Sequence, residues 1–123
     1  MSPRSEEYFW RARRSLRSAR LLLGEGLFED AVSRAYYAMV EAAQGALSER
    51  DISTRTHSGL WTKFNEVFIH AGELNDSWPA AVARAQRLRE RGDYEAERID
   101  EGVATEVVTE AASFVEAASS AVS

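Results

Sequence analysis

The chain contains no cysteine, only two prolines and only seven glycines in 123 residues. Without cysteine there are no disulfides, zinc–thiolate sites or thiol nucleophiles, and a cytoplasmic location is the expectation. No apolar segment follows the charged N-terminal residues, so no signal peptide is expected. The longest purely aliphatic run is Leu21 to Leu23, far too short to span a bilayer. Lysine is almost missing too: of fifteen basic residues all but Lys63 are arginine. Arginine favours bidentate contact with carboxylate or phosphate, although a GC-rich genome produces the same bias. There are two histidines, His57 and His70, and the nearest approach to a metal-ligand pair is Glu66 with His70. The paired E-x-x-H of a di-iron bundle is absent, as are Walker, dinucleotide-binding and nucleophile-elbow motifs, so neither a metal nor a cofactor is expected.

What is present favours helix. The composition is 45% hydrophobic and 28% charged, that of a compact chain, and residues 1–123 are expected to form one domain. Five helices and no strand are expected. The first runs from about Ser5, the expected N-cap, to Leu23. It gathers Tyr8, Phe9, Ala12, Leu16, Ala19, Leu22 and Leu23 in one arc. Gly24 to Gly26 turn the chain. The second runs from about Leu27 to Leu47 with Val32, Ala35, Tyr36, Met39, Ala43 and Leu47 as its apolar stripe.

A third helix is expected from His57 or Ser58 to Ala71, ended by Gly72. A shorter fourth runs from Trp78 to about Glu90, capped by Asp76 or Ser77, with Pro79 in its first turn. "RGDYEAERID" breaks the pattern, and Asp100 then caps a last helix carrying Val103, Val107, Phe114, Ala118 and Ala121. Long amphipathic helices with short connections give an all-α fold, an antiparallel up-and-down four-helix bundle with a short additional helix.

Net charge is −5 with a pI near 5.1, which excludes a general nucleic-acid-binding character for the chain as a whole. Its arginines are nonetheless concentrated. Arg11, Arg13, Arg14, Arg17 and Arg20 lie opposite the apolar arc of the first helix, and Arg84, Arg87, Arg89 and Arg91 form a second group. The first set is either a solvated face or a surface for phosphate or an acidic partner. Glu95 to Glu101 or the acids of the last helix are candidates to offset it.

The adjacent Tyr36 and Tyr37 point about 100° apart on a helix, so only one can face the core. Tyr36 shares the apolar stripe; Tyr37 falls among Ser33, Arg34, Glu41 and Gln44. Small Ala38 and Gly45 flank that polar strip and leave room for another helix or subunit. His57 reads either as a helix-start residue or as a polar contact beside a working face.

Three ordered segments carry a resemblance: "EGLFEDAVSRAYYAMVEAAQGAL", "THSGLWTKFNEVFIHAGEL" and "RERGDYE". Their A-x-x-R-A-Y-Y-A, H-S-G-x and R-x-x-x-D-Y patterns resemble the HEPN family (higher eukaryotes and prokaryotes nucleotide-binding), in its small stand-alone prokaryotic branch. The resemblance implies the same helical bundle. For activity it implies one of three roles: a metal-independent endoribonuclease, often a toxin, with R-x4–6-H at a site composed by two protomers; a partner of a small nucleotidyltransferase in a two-gene, toxin–antitoxin-like module; or a non-catalytic nucleotide- or RNA-binding protein. Here Tyr94 occupies the position five residues after Arg89 where the shortest form of that motif has histidine, and no histidine follows His70. A tyrosine near pKa 10 is a weak base beside imidazole. The expectation is therefore a homodimer, or a complex with a nucleotidyltransferase-like partner, that binds nucleotide or RNA in a polar groove of Arg34, Tyr37, His57, Arg89, Asp93 and Tyr94. The alternative is a ribonuclease with Arg89 as phosphate ligand and Asp93, Tyr94 or His57 in support.

Overall fold

A computed structural model describes residues 1–123 as five α-helices without a strand. These are α1 (Pro3–Gly24), α2 (Phe28–Glu49), α3 (His57–Phe64), α4 (Trp78–Tyr94) and α5 (Glu101–Val122). α3 runs directly into a π-helical turn, Asn65–Ile69. The four long helices form the antiparallel bundle and α3 with its π turn is the short addition.

Cross-helix contacts set the directions. Ser2 at the start of α1 donates its backbone N–H to Glu49 at the end of α2, and the Ser15 hydroxyl donates to Glu41 further back. α4 runs antiparallel to α2, with Arg89 over Tyr36 and Gly92 near Glu29. α5 runs back along α4, bringing Trp78 to Phe114 and Arg84 to Glu106 and Glu110. α2 touches every other helix and contributes Val32, Tyr36, Met39, Ala43 and Leu47 to the core, the stripe expected of it. No helix is long and apolar enough to cross a membrane.

Helix ends follow local chemistry, in places differently from expectation. α1 starts at Pro3, not Ser5: Ser2 is the cap, its hydroxyl accepting from the Ser5 N–H, while Ser5 itself is buried. Proline suits a first helical position because its missing donor has no partner to lose there. α3 is capped by Thr56, whose hydroxyl accepts from the Gly59 N–H. The expected long third helix ends early because the chain widens into the π turn after Phe64. Gly72 follows with φ of 81°, a conformation that suits glycine. α5 begins at the expected cap, Asp100, which accepts from Val103.

The fourth helix is the largest departure. It does not stop near Glu90 but continues through Arg91, Gly92, Asp93 and Tyr94. A glycine inside a helix costs only about 1 kcal/mol, which packing can outweigh. The stop comes at Ala96, which takes φ of 53° while the Glu97 N–H reaches back to the Arg91 carbonyl.

The room expected beside Gly45 is filled from within the chain. A Cβ there would stand 2.8 Å from the Phe9 ring, so the glycine admits α1 and leaves no space for a second subunit at that point.

Candidate functional site

The polar strip of α2 faces the far end of α4, with the start of α3 alongside. Tyr36 is wholly buried and Tyr37 is partly exposed, which is the division that their 100° separation requires. Their rings meet edge to face with centroids 5.8 Å apart. Arg89, from α4, lays its guanidinium over both, 5.4 Å from the Tyr36 ring centre and 5.3 Å from that of Tyr37. Arg34 stacks on Tyr37 at 4.9 Å. His57, the first residue of α3, has its ring centre 5.9 Å from Tyr36 and 6.0 Å from Tyr37. One ring pair thus joins two cations and an imidazole from three helices.

The hydrogen bonds inside the cluster are directional. The Trp61 indole N–H donates to the Tyr36 hydroxyl at 3.1 Å, leaving that hydroxyl free to donate its own proton. The His57 Nδ1 lies 3.4 Å away and accepts it in the tautomer that carries the proton on Nε2. In that tautomer the second imidazole nitrogen is a donor, suited to an anionic oxygen. Burial pushes the Tyr36 phenol above its ordinary pKa, with the Trp61 hydrogen bond and the Arg89 charge acting against the rise. The phenol therefore stays protonated at neutral pH.

Arg89 is the most constrained cation of the group. Its side chain is 12% exposed, and Nη1 donates to Asp93 one turn on at 3.0 Å. Its Nε is buried without a hydrogen-bond partner. Burial works against its charge, but Tyr37, Asp93 and Tyr94 more than offset this and hold its pKa above the usual arginine value. The cation is permanent, it is held flat on two rings, and most of its five N–H donors are unused.

Of the six residues expected to cooperate, Arg34, Tyr37, His57, Arg89 and Asp93 come together. Tyr94 stands apart. Its side chain is 77% exposed at the end of α4, where it adds to the field on Arg89 without a hydrogen bond of good geometry. Two residues join the cluster that the polar pattern did not single out, Tyr36 as its hub and Trp61 as the donor that orients the hub. The His57–Trp61 spacing of one helical turn was the available signal, since such residues share a face.

Comparison with known proteins shows the family. The HEPN domain model matches residues 5–121, almost the whole chain. The chain belongs to the HEPN domain family. This HEPN domain is 38% identical over 94 residues to a UPF0332 protein of Gloeobacter violaceus, covering 76% of this chain and 75% of that one. It is 34% identical over 88 residues to a UPF0332 protein of Thermotoga maritima, covering 70% and 67%. A Methanocaldococcus jannaschii protein named "Putative toxin MJ0605" is 29% identical over 105 residues, covering 85% and 78%.

Proposed function

We propose that this HEPN domain binds the phosphate of a nucleotide or RNA at the cluster of Arg34, Tyr37, His57 and Arg89. It would work as a homodimer or with a small nucleotidyltransferase-like partner in a toxin–antitoxin-like pair. The observation that carries the reading is Arg89: a permanent cation fixed on two tyrosine rings, paired with one carboxylate and left with unused donors. A guanidinium so held has lost its side-chain freedom before any ligand arrives, so an oxyanion meets it at little further ordering cost. Arg34 and the Nε2–H tautomer of His57 add donors beside it. The relative named as a toxin supports the toxin-like side of such a pair.

The second reading is a metal-independent ribonuclease, and the position of His57 favours it. An imidazole from α3 reaches the same rings that Arg89 covers, as a base for the 2′-hydroxyl would need. Its Nδ1 lies 3.4 Å from the Tyr36 hydroxyl, however, and in the tautomer that accepts from it the other nitrogen is a donor rather than a base. Binding is accordingly the primary reading.

The deciding experiment incubates the protein with RNA in EDTA and measures both binding and cleavage. Binding without cleavage, weakened at least tenfold by Arg89→Ala and steeply dependent on salt, is the expected result. Cleavage lost in both Arg89→Ala and His57→Ala would establish the ribonuclease instead. Sizing of the protein alone and with the product of an adjacent gene tests the association. A strict monomer without such a partner would remove that part.

A further inference from the structure

The five arginines opposite the core arc of α1 are all exposed. Neither the acidic segment after α4 nor α5 offsets them, against expectation. Arg11 pairs with Glu7 of its own helix and the other four form no ion pair, while Glu106 and Glu110 are taken by Arg84. On the side of this face nearest α2 lies an open concavity of about 520 Å³, lined by Trp10, Arg11, Arg14, Ser18, Arg34 and Glu41 among others. Its two acids are both engaged, Glu7 by Arg11 and Glu41 by Ser15. Trp10 is 54% exposed, the largest aromatic surface that α1 offers to water, and Arg14 stacks on it at 5.4 Å.

Arg34 connects this concavity to the tyrosine cluster. The same side chain lines the concavity and lies over Tyr37. Guanidinium groups therefore run from Arg89, which is paired with Asp93, through the unpaired Arg34 and Arg14, with an exposed indole at the far end.

We infer that the α1–α2 concavity is a track for single-stranded RNA leading away from the Arg89 cluster, with Arg11, Arg14 and Arg34 on the phosphates and Trp10 stacking a base. The inference rests on the phosphate-binding reading of that cluster and extends it from a nucleotide to an oligonucleotide. Spaced cations with an aromatic platform are what single strands require, because every base offers a π face and every linkage a charge. A mononucleotide bound at Arg89 would leave Trp10 and Arg14 without a role. An acidic protein would satisfy the charges but has no need of an indole stacked beneath a guanidinium.

The test uses two fluorescent probes made of 2′-O-methyl RNA, a dinucleotide and a strand of about 12 nucleotides. The double variant Arg11→Gln/Arg14→Gln should bind the dinucleotide as the wild type does and the longer strand roughly tenfold more weakly. Its log–log salt slope for the long strand should fall by about 0.7 for each contact removed. Trp10→Ala should also weaken only the long strand, by about tenfold. Arg89→Ala should weaken both probes. All three α1 positions are exposed, and unchanged helical circular dichroism confirms that the variants are folded. If the double variant binds the long strand with unchanged affinity and slope while Arg89→Ala weakens both probes, the track is wrong and the cluster stands. If the wild type binds neither probe, the phosphate reading fails and the track with it. If the double variant keeps RNA binding but loses its homodimer or partner complex on sizing, the face is a protein interface and the track is overturned.

Discussion

Arg89 and the arginines of α1 have the same side chain in opposite settings. Arg89 is almost enclosed, lies on two rings and shares one carboxylate. Arg13, Arg14, Arg17 and Arg20 stand in water without an ion pair, Arg14 alone touching an aromatic ring. An enclosed guanidinium forgoes hydration and is kept there by the fold, so its cost appears in stability and its benefit in binding. An exposed one costs the fold almost nothing and contributes only when an anion comes near. Substitutions should separate the two settings, because they draw on different free energies.

The largest effect is expected where the enclosing rings are removed. Tyr36 is wholly buried, touches Tyr37, His57 and Trp61, and carries Arg89 on its face. Tyr36→Ala should destabilise the domain by about 3–5 kcal/mol, the usual cost of deleting a buried aromatic. Chemical denaturation measures it, and a loss under about 1 kcal/mol would mean that the Tyr36 ring is not packed in the core as the structure has it.

A finer effect comes from the hydroxyl alone. Tyr36→Phe keeps the ring and strips the Trp61 indole of its acceptor, a loss of about 1 kcal/mol. The difference should depend on pH with a definite sign. Burial raises the folded-state pKa of Tyr36 above the ordinary 10.0, so above that pH the unfolded chain ionises first and gains stability. The advantage of wild type over Tyr36→Phe is full below pH 10.0 and shrinks as pH climbs toward the raised folded value. A gap that widens in alkali would show that the phenolate, not the phenol, is what the site favours.

Much of this was legible from the sequence, and the boundary of legibility follows sequence distance. The stripe on α2 and the split between Tyr36 and Tyr37 need only the helical period. The Asp100 cap needs only a side chain three residues from its partner. Ser2 before Pro3 was equally local, and giving weight to the proline would have placed the start of α1 correctly. The end of α4 was not readable, because Gly92 is a weak local stop and the helix there packs beside Glu29, more than sixty residues earlier. The π turn and the contact of Phe9 with Gly45 likewise depend on neighbours distant in sequence. For the candidate site, the polar strip and Arg89 could be named in advance. The meeting of His57 and Trp61 on one hydroxyl could not, since spacing shows that they share a face without showing what that face meets.

Replacing Arg89 itself should have a smaller effect on stability than either ring change. Arg89→Met retains an unbranched stem between the tyrosines and removes the buried charge together with its partnerless Nε. Two ring contacts and the Asp93 pair are lost, but the desolvation cost is relieved, and exchanges of this kind are often neutral. Stability should therefore change by less than about 1 kcal/mol while RNA or nucleotide affinity falls at least tenfold. Loss of several kcal/mol would make Arg89 a structural pin, and the contrast with α1 would then concern packing alone.

The smallest effect belongs to the open face. Arg17→Gln removes an exposed charge that has no ion pair, on a helix where Arg13, Arg14 and Arg20 stand within a turn of it. Gln has nearly the helix propensity of Arg and the relieved repulsion is small, so stability should shift by no more than about 0.5 kcal/mol. Relieved repulsion does predict a sign under changed conditions: any gain should be greatest at low ionic strength and fade as salt screens the remaining arginines. Melting temperatures of the variant and wild type across a salt series measure both points. A variant that is much less stable at every salt concentration would reveal that Arg17 is already engaged within the fold, and the open face would have to be redrawn without it.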